Sequence, residues 1–383
     1  MPRFILIAAF IAVLLLVVIG GHFYLAEHLV MMPALATPWR GLALATIAAG
    51  GTLLVLQPIV ERTLSLRLAR WINWPASLWM GFAFLLLICT AASQLVQGLL
   101  GASGDAAAML TASRVWAAVV VGVAGAAAVR GVRTALREPL LERRELRLPR
   151  WPASLNGFRI VQLSDIHIGP ILDRRFAARL VERCNALRPD LIAVTGDLVD
   201  GDVTRVADEV EPFARLRAAH GVYFVTGNHD YYSGSEPWVA QVEKLGMRAL
   251  RNRRVTIGRD GAAFDLAGVE DHHAHLVSSS QREDLHAALD GRDAQRAVVL
   301  LAHDPLTFKE AARLGVDLQL SGHTHGGQIW PFRYLVRLST PYVVGHFRRN
   351  GSQLYVSRGT GFWGPAMRLF APAEITEIVI NKG

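Results

Sequence analysis

Apolar residues are concentrated before residue 130, in long runs separated by short polar segments. The pattern gives four candidate membrane spans: Phe4–Ala26, Gly41–Val60, a run within Ala76–Leu100, and the shorter Val115–Val129. The first run has no formally charged side chain and is long enough to cross a bilayer core of about 30 Å. A cleaved signal peptide is the alternative for this run, but its apolar core is shorter and ends at a small-residue cleavage site. We therefore predict a transmembrane region with about four helices over residues 1–129.

The pattern changes after Pro149, Trp151 and Pro152, where short apolar runs begin to alternate with amphipathic stretches. The predicted strands are Phe158–Leu163, Leu191–Val194, Val222–Val225, Val298–Ala302 and Leu318–Leu320. The predicted helices are Phe176–Leu187, Thr204–Ala219 and Trp238–Leu245. This alternation of strands and helices predicts an α/β sheet domain over residues 153–383.

Composition adds a basic segment between these two regions. The chain of 383 residues is 52% hydrophobic with a formal net charge of +8, and most of its basic residues are arginines. Arginines are dense directly after the fourth apolar run, so we predict a basic juxtamembrane linker over residues 130–152. This linker either lies near anionic headgroups or is a solvated segment whose arginines only reflect the preference of basic residues for the cytoplasmic side of a membrane. The two cysteines, Cys89 and Cys184, indicate neither a disulfide framework nor a zinc cluster.

The arginines also predict how the membrane region is oriented. They precede the first run, separate the second from the third, and follow the fourth: Arg3, then Arg62, Arg67 and Arg70, then the dense segment. The alternate loops hold only Arg40 and Arg114. The positive-inside rule then places both termini, and with them the C-terminal domain, in the cytoplasm. Without the fourth span the C-terminal domain would lie on the other side of the membrane.

Each of the five predicted strands of the C-terminal domain leads, within three residues, to an Asp, Asn or His. These residues are Asp165, His167, Asp197, Asn228, His229, His303, His323 and His325. In open α/β sheets, ligands bind beyond the carboxyl ends of the strands, so we expect these side chains to meet at one rim.

This mixture of carboxylates, an amide and imidazoles suits Mn, Fe, Zn, Ni or similar divalent ions. The ligands are too many for a single tetrahedral zinc, whereas two ions that share one carboxylate would use them all. Two such ions clamp phosphoryl groups in many hydrolases. The sequence therefore predicts a site for two divalent metal ions.

The ordered motifs carry a resemblance to a known family. The segments Asp165-x-His167, Gly196-Asp197, Gly227-Asn228-His229-Asp230, His303 and Gly322-His323-Thr324-His325 resemble the calcineurin-like metallophosphoesterase superfamily over about residues 155–383. The segment Val356–Gly361, followed by Arg368 and Pro372, is similar to the bacterial membrane-associated branch. The resemblance implies a four-layer α/β/β/α sandwich, a multi-pass location in a bacterial inner membrane, and hydrolysis of phosphoric esters.

The resemblance also implies roles for individual residues. Asp165, His167 and His325 would hold the first metal, and Asn228, His303 and His323 the second, with Asp197 bridging them. His229 would be the general acid, and Asp200 would orient it.

One position departs from the protein phosphatases of this superfamily. They carry an arginine directly after the residue that matches Asp200, whereas this chain has Gly201, which argues against a phosphoprotein substrate. Arg358 or Arg368 is expected to supply the missing charge for phosphate, the alternative being a surface or sheet-edge role.

We expect a phosphomonoester, phosphodiester or pyrophosphate substrate, and membrane anchoring favours a lipid-linked one. The apolar segment Phe362–Met367 either contacts the bilayer or an acyl chain, or packs as ordinary core. The alternatives are a nuclease or cyclic-nucleotide phosphodiesterase, and a non-enzymatic metal-dependent membrane sensor. Neither a nucleic-acid nor a protein partner is predicted. The cluster Asp271, His272, His273 and His275 is an extra metal site, a lid or a polar loop, and is left outside the predicted site.

Overall fold

A computed structural model describes residues 3–100, 105–259, 262–278 and 280–383. The chain divides into two compact units. The first consists of Met1–Arg133 with Gly364–Met367, and the second of Thr134–Trp363 with Arg368–Gly383.

The first unit is built from four long helices. These are α1 (Arg3–Ala26), which continues into a π-helical turn at Glu27–Met31, α2 (Trp39–Thr63), α3 (Leu66–Leu99) and α4 (Ala106–Ala135). Each is long and apolar enough to cross a membrane, so the predicted helical region is confirmed. The fourth helix has 30 residues, twice the predicted short run, because alanines, which favour helices, extend it at both ends.

The four residues Gly364–Met367 belong to this first unit. Ser77 of α3 donates a hydrogen bond to the carbonyl of Gly364 (2.6 Å) and accepts one from the amide of Ala366 (2.7 Å). Ala366 and Met367 are buried. For this part of the predicted apolar segment, ordinary packing is therefore the arrangement found.

The second unit contains two six-stranded sheets. In chain order the strands are β1 (Leu140–Leu148), β2 (Phe158–Leu163), β3 (Leu191–Thr195), β4 (Val222–Val225), β5 (Arg248–Ala249), β6 (Arg253–Arg259), β7 (Ala262–Gly268), β8 (Val298–Leu301), β9 (Leu318–Ser321), β10 (Gly345–Arg349), β11 (Ser352–Val356) and β12 (Glu374–Lys382). The helices are α5 (Arg174–Ala186), α6 (Val203–Val210), α7 (Asn228–Tyr232), α8 (Ser235–Lys244), α9 (Ala274–Val277), α10 (Leu285–Leu289), α11 (Phe308–Arg313) and α12 (Arg333–Ser339).

Both sheets are mixed. The first has the order β1-β12-β2-β3-β4-β5, in which only the β12–β2 pair is antiparallel among the pairs described. The second has the order β10-β11-β9-β8-β7-β6, with a parallel centre and an antiparallel pair at each edge. The carboxyl ends of β2, β3 and β4, and those of β8 and β9, therefore lie at common sheet edges.

The main core lies between the two sheets. Trp151 packs against Phe158 of the first sheet and Phe264 of the second, with ring centroids 5.8 and 4.6 Å apart. The other face of the second sheet packs on α10 and α11 through residues such as Leu300 and Phe308. Strands covered on both faces appear in sequence as continuous apolar runs, which made them predictable. The predicted α/β/β/α sandwich is confirmed.

Two elements differ from the sequence prediction. Strand β1 occupies part of the predicted basic linker and pairs in parallel with β12, burying Leu146 and Leu148 while its charged residues face outward. The predicted helix Thr204–Ala219 ends as α6 at Val210 and continues as a 3₁₀ turn, because Pro212 lacks the amide that an α-helix needs.

Candidate metal centre

The loops after five parallel strands bring the predicted ligands together in three overlapping groups. The groups are Asp165, His167 and His325; His167, Asp197 and His229; and Asp197, His303 and His323. Within each group the ligand atoms lie within 4.8 Å of one another. The sheet topology thus gathers residues that are more than 150 positions apart in sequence.

The spacing in the first group fits a shared metal ion. His325 Nε2 lies 3.5 Å from Asp165 Oδ1 and 3.1 Å from His167 Nε2. Two ligand atoms bound at about 2.1 Å to a tetrahedral ion are about 3.4 Å apart. All three side chains are buried.

The group of Asp197, His303 and His323 has similar spacing. His303 Nε2 lies 3.1 Å from Asp197 Oδ2 and 3.3 Å from His323 Nδ1. The side-chain oxygen of Asn228 is buried and has no hydrogen-bond partner among the described residues. A buried oxygen of this kind is costly unless something binds it, and a cation is the partner that the neighbouring ligands suggest. Asp197 Oδ2 is also 3.8 Å from His167 Nε2, so one carboxylate links both groups.

Hydrogen bonds to the far ring nitrogens fix two of these imidazoles. His303 Nδ1 lies 2.8 Å from the carbonyl oxygen of Thr195, and His167 Nδ1 lies 3.0 Å from Asp200 Oδ1. Each contact leaves Nε2 directed at the centre. Contacts of this kind orient the ring and raise its basicity as a metal ligand.

The backbone of the centre is unusual. Positive φ angles between 50° and 70° occur at five of the predicted ligands: Asp165, His167, Asp197, His323 and His325. Non-glycine residues adopt this region rarely and at a cost, and such strain is typical of functional sites. The glycines of the motifs allow close approach: a Cβ at Gly196 would lie 2.6 Å from His303 Nδ1, and one at Gly322 would lie 1.9 Å from Ser164 Oγ.

Asp230 is a positioning residue that the sequence analysis did not assign. Its Oδ2 accepts hydrogen bonds from the amides of Asp197 (2.9 Å) and Gly227 (2.8 Å), and its Oδ1 accepts one from Leu198 (3.0 Å). This buried carboxylate therefore ties the loop after β3 to the loop after β4. Its position at the end of the Gly-Asn-His-Asp motif is the sequence signal that could have identified it.

His229 lies at the edge of the centre and is held at two points. Its amide donates to Asp197 Oδ1 (2.8 Å), and its Nδ1 lies 2.8 Å from Asp200 Oδ1. Burial lowers the pKa of His229, but the negative charge of Asp197 and the hydrogen bond to Asp200 outweigh it and raise the pKa to about 9. Burial raises the pKa of Asp200, but the charges of His167 and His229 hold that pKa well below its usual value. The pair is thus arranged as an imidazolium with a carboxylate.

The two arginines expected to grip phosphate are placed differently. Arg368 is fully buried, and its guanidinium donates to the carbonyls of Gly361 (2.8 Å) and Ala371 (2.9 Å). Arg358 is partly exposed and pairs with Glu374 (2.5 Å) and Glu142 (3.1 Å). Arg368 is therefore buried rather than at the surface, and its guanidinium holds the backbone of the segment around it.

Gly201, the position that departs from the protein phosphatases, has a backbone reason for lacking a side chain. Its φ is 134°, and a Cβ there would lie 2.9 Å from Val206 Cγ2. Its carbonyl accepts from Trp238 Nε1 (2.9 Å) and its amide donates to Ser233 Oγ (3.0 Å), which fix this conformation. An arginine at this position would be strained.

The structure brings one histidine of the separate cluster next to the centre. His273 Nδ1 lies 3.5 Å from Asp304 Oδ2, which is 3.9 Å from His323 Nε2. His272, by contrast, pairs with Glu283 (2.5 Å). Sequence analysis missed Asp304 because it follows His303 without a motif of its own.

The chain is similar to known proteins. The family model for calcineurin-like phosphoesterases matches residues 158–327. The chain is 37% identical to a zebrafish (Danio rerio) "transmembrane protein with metallophosphoesterase domain", over 67% of this chain and 60% of that protein. It is 35% identical to the cattle (Bos taurus) protein of the same name, over 78% of this chain and 72% of that protein. It is 36% identical to a Helicobacter pylori metallophosphoesterase, over 64% of this chain and 65% of that protein.

The chain thus spans less than two thirds of the zebrafish and Helicobacter relatives, but more of the cattle relative. The matched part of the chain contains strands β2 to β9 and the loops that carry the candidate ligands up to His325. The chain therefore belongs to the calcineurin-like phosphoesterase family.

Proposed function

We propose that this chain is a membrane-anchored phosphoesterase that hydrolyses a phosphomonoester, phosphodiester or pyrophosphate with two divalent ions. The observation that carries the proposal is the shared carboxylate of Asp197, which belongs to two ligand groups while its second oxygen holds the amide of His229. Asp165, His167 and His325 would hold one ion, and Asn228, His303 and His323 the other.

When bound, the two ions supply Lewis-acid chemistry at the phosphoryl group and generate a nucleophile from water near neutral pH. The side chains of the protein donate the proton and orient the groups that react. His229, kept protonated by its carboxylate neighbours, donates a proton to the departing oxygen. Asp200 orients the imidazole for this transfer, since it bonds the nitrogen that faces away from the centre. Arg358 is the better placed arginine to contact a phosphate, because its side chain is 23% exposed.

The substrate we favour is lipid-linked or otherwise amphiphilic. The chain carries four apolar helices that can cross a membrane, so the site is tethered to a bilayer where such substrates are concentrated. Gly201 stands where the protein phosphatases carry an arginine, and its φ of 134° disfavours any side chain, which argues against a phosphoprotein substrate.

Metal analysis and a substrate screen test the proposal together. The full-length protein in detergent is stripped with chelator and reloaded with Mn, Fe, Zn or Ni, and bound metal is counted. Phosphomonoesters, phosphodiesters, cyclic nucleotides, oligonucleotides and nucleotide-sugar lipids are then assayed. We expect two ions per chain and metal-dependent hydrolysis. The Asp197→Asn variant should lose metal binding as well as hydrolysis. Lys309→Met, a substitution on α11, is the control.

Other outcomes would redirect the assignment. Preferred hydrolysis of oligonucleotides or cyclic nucleotides would replace the proposal by a nuclease or cyclic-nucleotide phosphodiesterase. Metal binding without hydrolysis of any ester would favour a metal-dependent membrane sensor.

We further propose a bacterial inner-membrane location with the catalytic unit in the cytoplasm. The fourth helix is 30 residues long, which supports four spans, and an even number puts both ends of the region on one side. The arginines between α2 and α3 favour the cytoplasm for that side. A fluorescent or alkaline-phosphatase reporter fused after Gly383 tests this. Phosphatase activity at the fusion would place the unit outside.

A further inference from the structure

Exposed aromatic and aliphatic side chains form one surface of the second unit. We call it the aromatic rim, and it consists of Trp330, Phe332, Tyr334, Leu335, Leu338, Trp363 and Phe370. These side chains are between 43% and 83% exposed. Single exposed apolar residues are normal in proteins, but a group of large ones marks an interaction site.

Helix α12 is the outer part of the rim. It contains no buried residue, although four of its seven residues are aromatic or aliphatic. Tyr334 and Leu335 precede Leu338 by four and three positions, so the three side chains share one face of the helix. On this face Leu338 is 83% exposed. A helix on the surface of a soluble protein normally packs its apolar face against the core, whereas α12 exposes its apolar face.

The rim continues from α12 to the proposed catalytic histidine. Trp330 and Phe370 are in edge-to-face contact, with ring centroids 6.4 Å apart. Gln328 makes two hydrogen bonds to the backbone of Trp363, of 2.7 and 3.1 Å. The ring of Trp363 lies 5.2 Å from that of His229. The exposed apolar surface therefore ends at the metal centre.

The chemistry of the rim indicates what covers it. Tryptophan and tyrosine are typical of the membrane–water interface, where one end of the ring is apolar and the other is wet. Helix α12 also carries Arg333 and Arg337 and no acidic residue, which complements anionic headgroups. Only residues 136–139 separate the last apolar helix from β1, so a bilayer is always within reach of this unit.

We propose that the aromatic rim inserts shallowly into the lipid–water interface and guides an amphiphilic phosphoester from the bilayer to the metal centre. The acyl chains of the substrate stay among the lipids beside α12, and its phosphoryl group reaches His229. The insertion stands on the rim alone, whereas the guiding role rests on the proposed phosphoesterase function.

Depth measurements test insertion without any assay of activity. The full-length protein, with Cys89→Ala and Cys184→Ala, is placed as one copy per nanodisc containing phosphatidylglycerol and phosphatidylcholine. A spin label is attached at Leu335→Cys or Leu338→Cys. The control is Leu276→Cys, because Leu276 is 60% exposed and Leu335 54%, and Leu276 lies outside the rim.

We expect the rim labels to be accessible to oxygen, which partitions into lipid, and shielded from a water-soluble nickel complex. The Leu276 label should show the reverse. Rim labels as open to nickel as the control would overturn insertion. Shielding from both quenchers would also overturn it, since a protein partner would then cover the rim.

Activity measurements test the guiding role. In Leu335→Gln/Leu338→Gln the rate on a long-chain phosphodiester in the nanodisc should fall about tenfold or more, while the rate on a water-soluble aryl phosphodiester stays within about twofold. Equal loss on both substrates would contradict a role in lipid access. If the parent protein hydrolyses neither substrate, the proposed function fails, and the depth measurements still decide whether the rim inserts.

Discussion

The carboxylate of Asp200 bonds His229 Nδ1 at 2.8 Å, and the same oxygen lies 3.0 Å from Nδ1 of the metal-ligand candidate His167. Asp200 therefore serves the proposed proton donor and the first metal site together. We predict that Asp200→Asn lowers both turnover and metal affinity by about 10- to 100-fold, the usual effect of losing such a support. Steady-state kinetics and metal titration measure the two losses.

Asp202→Asn is the control for Asp200→Asn, since Asp202 is exposed at the start of α6 and lies two residues away. It should leave both quantities within about twofold, as substitutions at exposed positions usually do. Reduced turnover with unchanged metal affinity in Asp200→Asn would contradict the contact with His167.

His229→Gln tests proton donation to the leaving group. We predict a loss of about 100-fold or more on alkyl phosphoesters, whose departing oxygen needs a proton, and a much smaller loss on nitrophenyl esters. Bound metal should be unchanged, because His229 is at the edge of the centre. Plotting rate against leaving-group pKa for both proteins gives the comparison. If the plots for the parent protein and His229→Gln have the same slope, His229 does not donate the proton to the leaving group.

The candidate ligands could be predicted because the strands before them are buried on both faces. Leu191–Thr195, for example, is fully buried and appears as an apolar run, with Asp197 two residues after its end. The positions of the ligands then follow from a general property of parallel sheets, in which the carboxyl ends form one edge. The local sequence therefore contained enough to assemble the centre.

Elements that depend on distant partners could not be predicted. Strand β1 has five charged residues among nine, and it becomes a strand only because it pairs with β12, where Leu140 lies opposite Glu374. The role of Asp230 depends on two amides in the loop after β3 and on one in its own loop. The exposure of Leu338 likewise cannot be read from the sequence of α12, whose apolar residues would in most proteins face the core.

His272 and Glu283 should make stability depend on pH. Their hydrogen bond (2.5 Å) raises the pKa of His272 in the folded protein, and burial opposes this less strongly. Because the folded pKa lies above the unfolded value, the pair stabilises fully below about pH 6.5 and loses its contribution as pH rises through the folded pKa. The imidazole is partly exposed, so we expect no more than about 1 kcal/mol.

Unfolding of the parent protein and His272→Gln, compared at pH 6 and pH 9.5 in the same detergent, measures this difference. The parent protein should have a higher free energy of unfolding than His272→Gln at pH 6. The two proteins should have the same value at pH 9.5. His286→Gln, at a side chain that is 74% exposed, is the control. A gap that widens with pH would show that the neutral imidazole is the stabilising form.

Arg368→Lys distinguishes a structural arginine from one that grips phosphate. The buried guanidinium donates to the carbonyls of Gly361 and Ala371, and its Nη2 lies 3.2 Å from His325 Nδ1. Lysine cannot make these contacts together, so we predict a loss of about 3 kcal/mol of unfolding free energy and weaker binding at the first metal site. Denaturant unfolding and metal titration measure both effects, and Arg313→Lys, at an exposed side chain, should change neither. A raised KM with unchanged stability and metal content would instead place Arg368 against the substrate phosphate.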